Sequence, residues 1–339
     1  MHASVGKIVV LAVPVLLLLA FLLLGLWERR ALGRAAGPSF LARNGAPVAI
    51  WLVLMVGFWT IVLIVLPLLY MVDLSFRPKL PPAQVGGPRD LYTLDNYRFF
   101  LFGGGFSASG WNDTHIQAFL ITILASILIT SLNLVLCYPL AFYMAKVAPE
   151  ARLRLLMLLL VTPYWVNEIL RAFAFRILFG TQGVLNKALL GAGLLAEPID
   201  FIGQNVALYA GLSYAYLLLM VFPLYNAIES LDRNQLEAAR DLGAPWWRIH
   251  LDIVIPHSRP GIASGTTLVF MLTAGALAAP QVLSGPNTLW FTPIVYDRFY
   301  QAFNWPQGAA YAFILLVTCI VFVLGVLRLF RLGLGEMHR

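Results

Sequence analysis

The chain has 339 residues, 60% of them hydrophobic and only 12% charged, with a formal net charge of +7. So little polar surface cannot cover so much Leu, Val, Ile and Phe in water, which excludes a soluble globular protein and leaves lipid as the solvent. The basic residues form no stripe interleaved with aromatics, which excludes a nucleic-acid partner. Cys137 and Cys319 lie inside apolar runs and supply neither a disulfide framework nor a zinc ligand set.

The first apolar run, 8–27, has the length of about 20 residues that a bilayer crossing requires. Trp27-Glu28-Arg29-Arg30 follows it where a signal peptide has a small-residue cleavage site, so a retained span is predicted. Further runs fall at 47–70, 116–145, 155–180, 205–228, 262–283 and 309–327. Each is predicted to be a helix, because lipid offers no partner to an open backbone. Pro67, Pro139, Pro163, Pro223 and Pro280 fall in or near these runs and are expected to bend helices. The connection 71–115 carries Pro78, Pro81, Pro82, Pro88 and Gly103-Gly104-Gly105 and reads as a long polar loop. Its triple glycine lacks the lysine and hydroxyl of a phosphate-binding loop and reads as a flexible turn.

Orientation follows from the connections. Segments 28–46, 146–154, 229–261 and 328–339 together hold about twice the Lys and Arg of the alternate set, with Arg29, Arg30, Lys146, Arg233, Arg240 and Arg328 among them. They are predicted to lie inside, which puts the N-terminus outside and the C-terminus in the cytoplasm.

The run 155–180 contains Tyr164, Trp165, Asn167, Glu168 and Arg171, with Arg176 beyond. Ionised groups at the centre of a span cost about 2.5–3.5 kcal/mol each on insertion scales, so they face protein or water. Glu168 and Arg171 are three apart and Asn167 and Arg171 four apart, so one helical face can bring them together to satisfy each other. Two readings stay open: a wet solute pathway or gate built on these five residues, and a buried pair that fixes helix packing. Arg176 is expected to snorkel to the outer headgroups.

Residues 229–261 read as two short helices. Asp232, with Gln235 three positions on, forms a capping box. Gly243 supplies a left-handed stop and Pro245 prevents continuation. Leu236, Ala239 and Leu242 recur at a spacing of three and form an apolar edge, while His250 and His257 are expected at the surface and Trp246 and Trp247 at the membrane interface.

Glu237-Ala238-Ala239, followed by Gly243, Ile255-Pro256 and Pro260-Gly261, resembles the cytoplasmic EAA loop of ABC importer permeases. The stretch Ser230 to Ile262 is similar to that of the polyamine-type members. The resemblance implies an all-α, polytopic, type I importer-like core of six helices in a bacterial inner membrane, with the span 8–27 added. It divides the chain into residues 1–46 (extra helix and basic linker), 47–331 (transmembrane domain) and 332–339 (cytoplasmic tail). It further implies that Glu237, Ala238, Ala239, Asp241, Gly243 and Ala244 belong to a coupling helix docked in a groove of a separate ATPase dimer. Small Ala238 and Ala239 would allow close approach, and Glu237 would cap or pair at that interface. A second homologous permease subunit and a periplasmic solute-binding protein complete the implied assembly.

The implied solute is a polyamine such as spermidine or putrescine; another small cationic or zwitterionic solute, an amino-acid derivative or an iron chelate is the alternative. The stretch Gly275 to Pro280 and the turn after Leu283 lack an aromatic residue and one glycine of the polyamine pattern. No GxxxxGK[ST] loop, GxSxG elbow or metal-binding helix is present, so ATP and magnesium are expected on the partner ATPase, and no cofactor, metal or catalytic residue here. An ion-gradient-driven transporter using Glu168 is the rival class. A membrane enzyme built on His115 lacks a convergent acid-base pair.

Overall fold

The computed structural model describes residues 46–81, 84, 86–103, 110–285 and 288–330; the predicted span 8–27 and the tail 332–339 lie outside the described residues. Every regular element among the described residues is helical. In chain order they are α1 (Ala46–Thr60), a π turn (Ile61–Val65), α2 (Leu66–Ser75), α3 (Asp95–Phe102) and α4 (Asp113–Phe142), the last continued by a π turn (Tyr143–Val147). Then follow α5 (Glu150–Val161), a 3-10 turn (Thr162–Trp165), α6 (Glu168–Phe179), α7 (Val184–Gly191) and α8 (Val206–Glu229). The chain continues through α9 (Arg233–Asp241), α10 (Trp246–Ile249), a π turn (His250–Val254) and α11 (Ile255–His257). It closes with α12 (Arg259–Ala274), α13 (Ala278–Leu283), α14 (Phe291–Tyr300) and α15 (Trp305–Phe330).

The chain divides into two units, one up to Leu74 and one from Ser75. Within the first, the helix Trp51–Ser75 begins, long and apolar enough to cross a membrane. Its π turn has a local cause. Pro67 has no amide to donate, and its ring crowds the carbonyl four residues back. Widening the preceding turn by one residue, with the Leu66 N–H reaching the Ile61 carbonyl, absorbs that crowding. The same device recurs at the same offset before Pro256, where the Ile255 N–H reaches the His250 carbonyl.

In the second unit α8 is the central helix, with α4 and α12 packed along it. Its Leu208, Leu212, Met220, Val221, Leu224 and Ile228 are completely buried. Close approach of α12 depends on Gly261 and Gly265. A Cβ on the first would overlap the Pro223 carbonyl oxygen and the Ala227 methyl, and one on the second would sit 2.9 Å from the Met220 sulfur. This is the small-xxx-small contact by which membrane helices gain packing that lipid cannot supply. On α4, buried Thr122, Ser126 and Thr130 each return a hydroxyl to the carbonyl four residues back, so these three hydroxyls are satisfied within the helix. Asn133 of α4 donates to the Ser213 carbonyl of α8 at 3.2 Å.

Of the six described apolar runs, four are realised by helices long and apolar enough to cross: Trp51–Ser75, Asp113–Val147, Val206–Glu229 and Trp305–Phe330. The other two differ from prediction. The run 155–180 is not one rod: α5 with its 3-10 turn and α6 with α7 meet at a bend of 98°. Pro163 opens the 3-10 turn, Val166 and Asn167 are extended, and Asn167 then caps α6 by accepting the Ile169 N–H at 2.8 Å. The run 262–283 is also interrupted. α12 stops at Ala274 after 16 residues, about 24 Å of rise, and the chain turns through Gly275–Leu277 before α13.

Candidate functional site

The segment 232–257 is built from caps. Asp232 is extended and its carboxylate accepts the Asn234 N–H at 3.0 Å, so it caps α9 as predicted, but through the second helical amide, and among the described hydrogen bonds the Gln235 side chain does not return to it to complete the capping box. At the other end Gly243 has φ +77, its N–H reaches the Arg240 carbonyl at 2.8 Å, and the Ala244 N–H reaches the Ala239 carbonyl at 3.0 Å. This pair of bonds is a Schellman stop, with Ala239 and Ala244 both against the core beneath it. A Cβ on Gly243 would meet open space, so backbone conformation alone requires glycine there.

Only one side of α9 is inward. Leu236 is buried and Ala239 half-buried, whereas Glu237, Ala238, Arg240, Asp241 and Gly243 are exposed and Ala244 is half-buried. Leu242 departs from the predicted apolar edge: it occupies the C-cap position, where the helix has ended, and is 88% exposed. Glu237 and Asp241, and Ala238 and Leu242, are each four apart on this outward face. The result is a free surface of two carboxylates, a small residue and a projecting leucine, with exposed Trp246 just beyond.

His250 is not a surface residue. Its Nδ1 lies 2.8 Å from the Tyr138 hydroxyl of α4, and its ring packs against Phe142, Tyr138 and Trp246 with centroids at 4.5, 5.8 and 5.9 Å. Burial pushes its imidazole below the ordinary value. His257 is exposed and meets the Ser230 hydroxyl at 3.0 Å. Lys146 ties the same corner from α4's π turn, donating to the Glu229 carbonyl at 3.0 Å and the Leu231 carbonyl at 2.5 Å. Neither His250 nor Lys146 carries a local signal of these roles, because the Tyr138 and Leu231 partners are 112 and 85 positions away.

The intramembrane residues meet at the 98° bend, against the middle of α8. The Tyr164 hydroxyl donates to the Ala215 carbonyl and accepts the Leu218 N–H at 3.2 Å. The Arg171 guanidinium lies over the Tyr164 ring, 5.0 Å from its centroid. The Tyr216 hydroxyl points at Glu168 Oε1 in a long contact of 3.5 Å. The anticipated Glu168–Arg171 pair is absent among the described ion pairs, and Nε and Nη1 of Arg171 are buried without a hydrogen-bond partner. Asn167 also leaves the shared face, because it is the cap of α6 and not a member of it. An Asn followed by an acidic first-turn residue is a helix-start signal that the continuous apolar run conceals. Trp165 is 88% exposed. Arg176 donates to the Val282 carbonyl at the end of α13, where snorkelling was expected.

The far end of α4 holds a further polar cluster. His115 lies about 35 Å along the helix from Tyr138. Its Nδ1 is 2.7 Å from both the Tyr311 hydroxyl and the Asn112 amide nitrogen, and its Nε2 is 3.1 Å from Arg298. These contacts engage both ring nitrogens beside a cavity of about 310 Å³ that Thr114, Asp297 and Gln301 also line.

Residues 137–330 match the family model described as binding-protein-dependent transport system inner membrane component. The chain is 32% identical over 267 residues to the spermidine/putrescine transport system permease protein PotB of Haemophilus influenzae, covering 78% of this chain and 88% of that one. It is 32% identical over 274 residues to PotB of Escherichia coli, covering 81% and 94%. Among solved structures it is similar to a bacterial ABC transporter involved in the import of the acidic polysaccharide alginate, with TM-score 0.65 and 17% identity, over 86% of this chain and 96% of that chain.

Proposed function

The chain belongs to the family of binding-protein-dependent transport system inner membrane components, a multi-pass membrane permease of the ABC importer class, and we propose that it carries a polyamine from periplasm to cytoplasm. The observation that carries the coupling part of this reading is the face of α9. A rigid helix, stopped at both ends by caps, presents Glu237, Ala238, Asp241 and Leu242 to solvent while its other side is fixed in the core. An exposed leucine beside the small Ala238 suits a groove on a partner, and hydrolysis of ATP, with its magnesium, belongs to that partner.

The assembly is a dimer of ATPase subunits, this chain, a second homologous permease and a periplasmic solute-binding protein. Closure of the ATPase dimer moves α9, and the spans rock between inward-open and outward-open states as the bound nucleotide shifts their populations. The N-terminus lies outside, and α9 and the C-terminus face the cytoplasm. The names of the relatives support spermidine or putrescine. Support within the chain comes from Glu168 among Tyr164 and Tyr216, an acid with aromatic neighbours that suits an ammonium group.

The test is solute-stimulated ATP hydrolysis by the chain purified with its co-assembling subunits and loaded binding protein. Spermidine or putrescine is expected to stimulate; stimulation by another solute alone would overturn the substrate, and transport driven by an ion gradient without ATPase would overturn the class. Glu237→Lys is expected to abolish most of the stimulation by placing a cation in the docking face.

A further inference from the structure

Resting on the reading that α9 is gripped by an ATPase, we infer that His250 is the positioning residue that transmits the movement of this segment to α4, through its hydrogen bond to Tyr138. The path between them has no slack. α9 ends in the two bonds of the Schellman stop, Pro245 starts α10, and α10 passes without interruption into the π turn whose first residue is His250. Ile249 on one side and Val254 further along are buried in the core, so the histidine cannot turn independently of the segment.

The receiving end is equally specific. Tyr138 immediately precedes Pro139, which lies inside α4. A proline in a helix leaves the carbonyl four residues back without its donor, so α4 is weakest in bending at this point. The Tyr138 hydroxyl thus delivers force where α4 yields most readily. Phe142 and Trp246 pack against the imidazole on other sides and leave it half-buried beside the bond. Lys146, the other tie at this corner, holds the end of α8 and Leu231, and so anchors the joint without linking it to α9. Burial favours the neutral imidazole, which has one nitrogen free to accept and one to donate.

The experiment compares His250→Asn, His250→Leu, Tyr138→Phe and the double variant His250→Leu/Tyr138→Phe in the complete complex in proteoliposomes. Loaded binding protein is supplied with putrescine or spermidine, and solute imported per ATP hydrolysed is measured. His250→Leu and Tyr138→Phe are each expected to lower that ratio roughly fivefold, the scale of one hydrogen bond, with unstimulated hydrolysis kept. His250→Asn, whose amide can stand where Nδ1 stands, restores it. The double variant is no worse than either single one, as two ends of one bond require.

A wild-type ratio in His250→Leu, an Asn variant as poor as the Leu variant, or additive losses in the double variant would overturn the inference. Tyr138→Phe, which removes only a hydroxyl, decides the matter if His250→Leu does not assemble. The two levels separate cleanly: a wild-type complex without solute-stimulated hydrolysis defeats the coupling reading itself, whereas a stimulated wild type with unaffected variants defeats only the role of His250.

Discussion

Asn186 is completely buried and every one of its assigned bonds closes a loop: it donates to the Gly180 carbonyl at 3.0 Å and the Ile199 carbonyl at 2.9 Å, and accepts the Ile199 N–H at 2.9 Å. Asn186→Ala leaves those backbone groups unpaired, at a cost of about 2 kcal/mol. The melting temperature of the purified chain in detergent is expected to fall, and an unchanged melt would contradict the account. Arg171 is the opposite case, a cation with two buried nitrogens that no acceptor reaches. His250 gives a dependence on pH. Burial lowers its folded pKa below the ordinary 6.5, so the unfolded chain binds the proton more readily. Its stabilising contribution is complete above that ordinary value and is lost as the pH falls below it toward the folded pKa. Thermal melts of wild type and His250→Phe are therefore expected to show a larger loss between neutral and mildly acid pH in the wild type than in the variant; parallel losses would contradict the burial argument.

At the scale of the elements, two glycines separate two physical causes. Gly243 has φ +77 with open space around it, while Gly261 has ordinary helical backbone and a carbonyl where a side chain would go. Gly243→Asn is expected to be mild, because Asn tolerates the left-handed region. Gly261→Asn forces α12 away from α8 and is expected to cost about 1–3 kcal/mol or more through overpacking. Comparing the melts of the two variants checks this, and equal losses would contradict it. The cap at Gly243 was legible because its cause is local: helix formers, a glycine, then Pro245. Pro163 marks the bend at 162–167 in the sequence, but its size is hidden because Leu, Val, Trp and Ile continue across it, and apolar composition does not report how sharply a backbone turns. The spacing of Glu168 and Arg171 permitted a pair, but Tyr216 and Tyr164 compete for them, and the tyrosine on α8 is brought there only by the tertiary fold.

At the largest scale, the described part of the unit from Ser75 has two polar clusters joined by apolar helices. One holds His115, Tyr311 and Arg298; about 35 Å along α4, the other holds Tyr138, His250 and Lys146 under α9. Apolar run lengths made the spans legible, and α9 stood out by its caps; the packing of α4 and α12 on α8 depends on distant contacts that run lengths do not encode. The outward face of α9 is predicted to meet an ATPase in the cytoplasm. Leu242→Cys tests this most directly, because Cys137 and Cys319 are buried and the new thiol is exposed. In the assembled complex this thiol is expected to cross-link to the ATPase subunit, to a degree that changes when nucleotide is added, and to resist a membrane-impermeant reagent applied to the outside of intact cells. Labelling from outside, or a cysteine that cross-links to no ATPase in either nucleotide state, would contradict the account.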